Sequence, residues 1–268
     1  MHTDEQQRAS VARVYDYLLG GRHHSPADRE VAQTILASIP TARVGVLANR
    51  AFLRRAVRYL AESGVRQFLD IGSGLPTEGN VHEIAQSVIP DARVVYVDID
   101  PDAVTESLTI LDGNPHATAV VGNLLHPDAI LDNPQVRGVL DFDQPIALLI
   151  VAVAHFIDDD ADPFTAVARL RSALPAGSYL VFSHLSNEGQ DFKDGDVQVD
   201  ATYRQRVGSA VKMRNRQEIT RFFEGLDLVE PGLVWAAEWH PDPADTLTFD
   251  DPRHSMSLVG IGRVPRSS

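Results

Sequence analysis

The 268-residue chain contains no cysteine, which excludes a disulfide framework, a thiol nucleophile and a cysteine-ligated zinc site. Lysine is nearly as scarce: Lys193 and Lys212 stand against 22 arginines, a bias read here as genomic base composition and not as mechanism. No apolar run approaches the ~20 residues of a membrane helix. The longest, Ile146 to Ala154, has the length of a buried strand. The N-terminus carries Asp4 and Glu5 in place of the basic-then-apolar order of a signal peptide. A cytoplasmic chain with no membrane partner is therefore expected. Positive charge is in deficit, and the net charge of −13 works against long-range attraction to nucleic-acid phosphates. Also missing are a Gly-x-Ser-x-Gly elbow, a Gly-x-x-x-x-Gly-Lys loop and any His-x-x-x-His pair. Hydrolase and nucleotidase readings drop out, and no metal ligands are assigned.

What is present is a regular alternation of elements. Val11, Val14, Tyr15, Leu18 and Leu19 recur at helical spacing until Gly20-Gly21. Ser25 is placed to cap a second helix that starts at Pro26 and runs to about Ile39. A third is expected over 44–63, ending at Gly64. These helices precede any strand and read as a cap over residues 1–64. From residue 65 onward, strands are expected at 67–71, 93–98, 117–121, 145–153 and 178–183, with helices at 80–88, 101–111 and 163–174. Mostly apolar strands joined by helices indicate a parallel sheet covered on both faces. Beyond them, 187–196 reads as an exposed polar loop, 200–207 and 216–223 as short helices, and 256–263 as a last strand after the Glu230-Pro231-Gly232 turn. The expected fold class is thus α/β: a doubly wound, Rossmann-like sheet, mostly parallel, with an antiparallel strand at its C-terminal edge. Residues 65–268 form one compact unit in this reading.

The chemistry concentrates at strand ends. Asp70-Ile-Gly-Ser-Gly74 follows the first strand, and Gly72 and Gly74 around Ser73 permit positive φ and close ligand approach. A dinucleotide fold would have a third glycine where this chain has Thr77, and Asp70 would repel a pyrophosphate. A carboxylate there suits a cation, such as the α-ammonium or sulfonium region of S-adenosyl-methionine. Asp98 ends the second strand with Ile99 beside it, where a carboxylate can accept two hydrogen bonds from a ribose diol. Asp100 reads as the cap of the helix at Pro101. After the third strand, Asn123 offers an amide to the adenine edge and Leu124 a seat under the ring; the asparagine fits a plain turn equally well.

Arg50 is a candidate clamp for a methionine carboxylate, although Arg50, Arg54, Arg55 and Arg58 also read as a solvated helix face. Tyr15 and Tyr17 point to different sides of the first helix, one to cover a ligand and one to pack. Ala154, His155 and His184 mark the ends of the fourth and fifth strands, beyond which ligands bind in such sheets. The two histidines are candidate bases or acceptor-orienting groups, with local packing as the alternative. Asp158 to Asp162 reads as capping of the helix at Pro163.

Several of these segments together resemble a known family. Ala12-Arg-Val-Tyr-Asp-Tyr-Leu-Leu-Gly-Gly21, Ala48-Asn-Arg-Ala-Phe-Leu-Arg-Arg-Ala56 and Gln67-Phe-Leu-Asp-Ile-Gly-Ser-Gly-Leu-Pro-Thr77 resemble an actinobacterial family of predicted S-adenosyl-methionine-dependent methyltransferases, long known only as a domain of unknown function. Further matches at Val94-Val-Tyr-Val-Asp98, Ala152-Val-Ala-His-Phe156, Ser178-Tyr-Leu-Val-Phe-Ser-His184 and Phe222-Phe-Glu-Gly-Leu-Asp-Leu-Val-Glu-Pro-Gly232 extend it over nearly the whole chain. The resemblance implies the class I fold, S-adenosyl-L-methionine as cofactor and methyl transfer. It leaves the acceptor open, and the acidity of the chain points to a small molecule. Two alternatives stand beside it: a non-catalytic S-adenosyl-methionine-binding regulatory module, and a nicotinamide oxidoreductase, which Asp70 and the missing third glycine disfavour. The chain departs from the family pattern twice. Arg22-His23-His24 replaces a basic residue followed by Asp-Asn, and Asn123-Leu124-Leu125 replaces Asp-Leu-Arg.

Overall fold

The computed structural model describes residues 9–75, 79–188, 195–243 and 247–266. Thr77 and most of the loop expected over 187–196 lie outside them. Three helices come first. α1 (Val11–Leu19) stops at Gly20. α2 (Pro26–Ser38) opens with a capping box in which Asp28 N–H donates to Ser25 Oγ and Ser25 N–H to Asp28 Oδ2. α3 (Ala42–Glu62) starts two residues earlier than the periodicity implies, because Ala42 already joins the buried face.

The sheet follows. β1 (Gln67–Ile71), α4 (Val81–Val88), β2 (Arg93–Asp98), α5 (Pro101–Ile110) and β3 (Ala117–Val121) alternate as the pattern predicts. Next come two helices that the pattern does not reveal, α6 (Pro127–Leu131) and α7 (Pro134–Val139). At five and six residues they are too short to display a 3.6-residue period. β4 (Ala147–Val151), α8 (Pro163–Ser172) and β5 (Tyr179–Leu185) complete the parallel part. β5 outruns its expected end by two residues, carrying His184 inside the strand. The cause is long-range: the antiparallel β8 pairs with it continuously from Tyr179↔Arg263 to Leu185↔Ser257. α9 (Gly195–Thr202) runs into a π-turn over Tyr203–Val207, so this helical segment begins earlier than expected. α10 (Arg216–Thr220), β6 (Asp227–Leu228), β7 (Val234–Trp235) and β8 (Ser257–Arg263) end the chain.

The strand order is β3-β2-β1-β4-β5-β8-β6, with β7 also on β8. β1 to β5 are parallel, β8 runs antiparallel to β5, and β6 and β7 each pair antiparallel with β8. Alternation along the strands divides the interior into two cores. Phe68, Val94 and Leu149 pack with Phe52, Val57 and Leu60 of α3 on one face, whereas Leu69, Val95 and Leu148 pack with Val167 and Leu170 of α8 on the other. A third cluster joins Val14 and Leu18 of α1 and Val31 and Ile35 of α2 to Val199 of α9 and Tyr203. Packing therefore divides the segment read as a cap: α3 is a layer of the sheet, whereas α1 and α2 share a core with α9. Among the described residues, no single helix is long and apolar enough to cross a membrane.

Candidate active site

The carboxyl ends of β1 to β4, together with α1 and α3, enclose a cleft of about 560 Å³, a size typical of cofactor sites. It lies where β1 has β2 on one side and β4 on the other, the switch point at which open parallel sheets bind ligands. The glycine loop forms one wall. Gly72 has φ 72°, and a β-carbon there would lie 2.3 Å from Val153 Cγ2; Gly74 has φ 66°. β2 holds the loop in place. Val97 O accepts from Gly72 N–H at 2.7 Å and from Ser73 N–H at 3.2 Å. The Asp98 carboxylate accepts Gly74 N–H at 2.7 Å on one oxygen and Asp100 N–H at 2.9 Å on the other. A carboxylate has about four lone-pair sites, so Asp98 orders the loop and retains acceptor capacity for a ligand. Asp100 caps α5 through Asp102 N–H at 3.0 Å and accepts Ser10 Oγ–H at 3.1 Å, which ties the start of α1 to the end of β2.

Three buried acids line the cleft. Burial pushes the pKa of Asp70 up to about 7, with the Arg50 guanidinium opposing the shift and Asp98 reinforcing it. Asp98 is raised as well, chiefly by burial, against the backbone N–H groups of Asp100 and Gly74. Asp16 accepts His23 N–H at 2.8 Å and lies 3.4 Å from His24 Nδ1 through Oδ2. Its Oδ1 is buried with no hydrogen-bond partner among the described residues. The two histidines that depart from the family pattern thus lie against one oxygen of a cleft acid. At the opposite end Ile99 is 65% exposed, Leu124 is buried, and both line the cleft. Asn123 Oδ1 accepts Leu125 N–H at 2.9 Å, so the turn reading holds and its amide nitrogen is the group left for a ligand.

The sequence profile of the S-adenosyl methyltransferases matches residues 2–265. The chain belongs to the S-adenosyl methyltransferase family. A DUF574 family protein from Streptomyces avermitilis is 41% identical, with a TM-score of 0.90 over 96% of this chain and 98% of that one. A Thermobifida fusca protein carrying a provisional methyltransferase name is 39% identical, with a TM-score of 0.89 over 98% and 97%. An O-methyltransferase family protein from Burkholderia thailandensis, at 11% identity, a TM-score of 0.54 and coverage of 85% and 59%, shares the fold alone. The comparison with curated proteins gave no match. The protein is an S-adenosyl-methionine-dependent methyltransferase with a mostly parallel sheet and an antiparallel edge.

In this methyltransferase the cleft brings together Tyr15, Arg50, Asp70, Gly72, Ser73, Gly74, Asp98, Ile99, Asn123 and Leu124. It does not reach Ala154 or His184. Ala154 is fully buried, and its carbonyl accepts Arg214 Nη1–H at 3.0 Å. His184 is fully buried within β5. Its Nδ1–H donates to Leu185 O at 2.7 Å, and its Nε2 faces Arg214 Nη1 at 2.6 Å. Burial, His155 and Arg214 hold its pKa well below the ordinary value. His155 lines an adjoining chamber instead of the cleft. The arginines of α3 also part company. Arg50 faces the cleft, Arg55 donates to Ala236 O and Trp239 O, and Arg58 lies 3.8 Å from Asp242. They do not form one solvated face, since residues five apart on a helix point in different directions.

Sequence reasoning missed Asp16, although a signal was present. Ala12, Tyr15, Asp16 and Leu19 form an i, i+3, i+4, i+7 stripe, and all four line the cleft. An acid on such a stripe shares the inward face of the helix with its apolar neighbours. Arg214 was missed because nothing near it in sequence marks it as buried. It donates to Ala154 O, Ile157 O and Asp159 Oδ1, in addition to its contact with His184.

Proposed function

We propose that the cleft is where this methyltransferase binds its donor, and that its acceptor is a small molecule. The observation that carries the reading is the convergence of a glycine loop and three buried acids on one cleft. Burying a carboxyl costs free energy unless something compensates, and an incoming cation is the compensation. Asp70, held near neutrality, and the unpartnered oxygen of Asp16 fit an α-ammonium. Arg50 fits the neighbouring carboxylate as a fork, and the free lone pairs of Asp98 fit the ribose diol. Asn123 presents only its amide nitrogen, a donor, so it suits a ring nitrogen of adenine and not the exocyclic amine. Ile99 and Leu124 supply apolar faces, and Tyr15 a side wall.

When bound, S-adenosyl-L-methionine supplies an electrophilic methyl group on a positively charged sulfur. The chain's own task is to align that group and exclude water, which is how positioning lowers a displacement barrier. α1 crosses the cleft and is tied to β2 through Ser10, so α1, α2 and α9 act as the cap. A mouth covered in this way favours a small acceptor over a nucleic acid, as does the net charge of −13. Calorimetry with S-adenosyl-methionine and S-adenosyl-homocysteine, with NAD as comparator, tests the site. Micromolar binding of the first two, lost in Asp98→Ala, is expected; no binding by folded protein would overturn it.

A further inference from the structure

A smaller chamber of about 80 Å³ adjoins the cleft, and Tyr15, Asn49, Ala152 and Phe156 line both. The two differ in character. Asp16, Arg50, Asp70, Asp98 and Asp100 line the cleft, whereas no Asp, Glu, Lys or Arg lines the chamber among the described residues. Its remaining walls are largely apolar, with Ile35 on α2, Val46 on α3, Val211 and Met213 on the segment between the π-turn and α10, and Met256 just before β8. Two polar atoms interrupt them. Nδ1 of His155 and Oδ1 of Asn49, on side chains 5% and 4% exposed, have no hydrogen-bond partner among the described residues. Buried polar atoms in natural proteins are nearly always paired.

We infer that this chamber receives the uncharged, apolar end of the methyl acceptor, with His155 and Asn49 bonding a polar group beside it. The inference rests on the cleft being the donor site, since the shared wall is what puts an occupant of the chamber next to the donor. Asn49 already donates through Nδ2 to Tyr15 Oη at 3.0 Å, so its open atom is an acceptor suited to an O–H or N–H group. His155 carries no charge at neutral pH, because burial, helped by Arg214, brings its pKa down to about 3. Neither contact therefore selects for an ion. The size also decides something. A cavity of about 150 Å³ holds benzene, so this one takes part of an acceptor and leaves the rest toward the mouth. Ala152, on the shared wall, has φ 60°, a left-handed conformation rare outside glycine, and Ser183 Oγ accepts its N–H at 2.9 Å. Enforced strain of this kind clusters at ligand sites.

The chain offers a direct probe, because Met213 and Met256, two of its three methionines, line the chamber. Protein labelled at the methionine methyl groups and saturated with S-adenosyl-homocysteine is titrated with phenol and isobutanol, then with benzoate and isobutylammonium. The neutral probes are expected to shift both methyl signals, and the charged ones to bind about tenfold or more weakly. Val211→Trp, which fills the chamber, should abolish the phenol response. His155→Leu, which keeps volume and removes the ring nitrogen, should weaken it about fivefold. Both variants should bind S-adenosyl-homocysteine within about twofold of the parent, the range left when only peripheral packing changes. Benzoate binding as well as phenol, or phenol leaving Met213 and Met256 unmoved, would overturn the inference; the second result needs no variant to fold. Failure of S-adenosyl-homocysteine to bind while phenol still shifts both methyls would sink the donor site instead, and the acceptor role with it.

Discussion

Asp98 serves two purposes with one carboxylate, fixing Gly74 and Asp100 while keeping lone pairs for a ligand. Asp98→Asn preserves the shape but is neutral and accepts on one oxygen only, so both N–H groups lose a charged partner and one of them loses its acceptor. Hydrogen bonds to charged groups contribute about 1.5–3 kcal/mol, and affinity for S-adenosyl-homocysteine should fall about 10- to 100-fold by calorimetry. Asp70 makes a pH-dependent prediction. Its pKa near 7 exceeds the ordinary carboxyl value of about 4. The folded protein therefore keeps a proton between about pH 4 and 7 that the unfolded chain has released, and this group's contribution to stability declines as pH rises through that window. A cationic ligand prefers the ionised form, so affinity should climb toward pH 7 and level off above it. Asp70→Asn should flatten that profile; an unchanged slope would assign the titration to another group. Both aspartates were legible from local patterns, Asp70 from the glycines that follow its strand and Asp98 from its place at the end of the next strand, just before Asp100-Pro101. The surroundings of His155 were not, because they depend on distant segments.

The helices and loops around the cleft are held by two buried polar hubs. Asp28 of α2 accepts Ser10 N–H at 2.9 Å, Arg13 Nε–H at 3.0 Å and Ser25 N–H at 2.6 Å, which fastens α1 to α2. Burial would raise its pKa, but the hydrogen bonds from Ser25 and Ser10 and the charge of Arg13 bring it below the ordinary value. Its stabilisation is thus fully present above about pH 4 and fades as pH falls through the lowered pKa. Asp28→Asn should cost about 2 kcal/mol in urea unfolding at pH 7, with the difference shrinking in acid. Arg214, fully buried, joins β5 to the segment after β4. Arg214→Met would strand Ala154 O, Ile157 O and His184 Nε2, while Asp159, at 45% side-chain exposure, stays solvated. A loss of about 3 kcal/mol is expected, read as a fall of about 6–12 °C in Tm. A change below about 1 °C would remove Arg214 from this role.

Across the whole molecule, the cleft is lined by α1, α3 and residues at or just past the carboxyl ends of four strands, so a ligand bound there would bridge the core of α1, α2 and α9 and the cores of the sheet. A ligand that binds only the folded chain stabilises it by about 2.7 kcal/mol at 100 times its Kd. S-adenosyl-homocysteine at that excess should raise Tm by about 5–10 °C in a single transition, and NAD should leave it unchanged. Two separate transitions, only one of them moved by ligand, would mean that the cap core unfolds independently of the sheet.

Helix starts at Ser25-Pro26 and Asp100-Pro101, five parallel strands, the glycine loop and the acids beside it were all readable from residues within a few positions of one another. Hydrophobic period, capping and turn chemistry act over that range, so the chain alone specifies them. Other features arise from chain closure between residues far apart. β5 extends through His184 because β8 lies along it. His184 is committed to Leu185 O and to an arginine 30 positions away. α9 completes a core begun by α1 and α2, and with them walls the chamber next to the cleft. A short-range pattern states what a segment forms; which groups meet, and whether a histidine faces solvent, ligand or guanidinium, is settled only when distant surfaces are buried against each other.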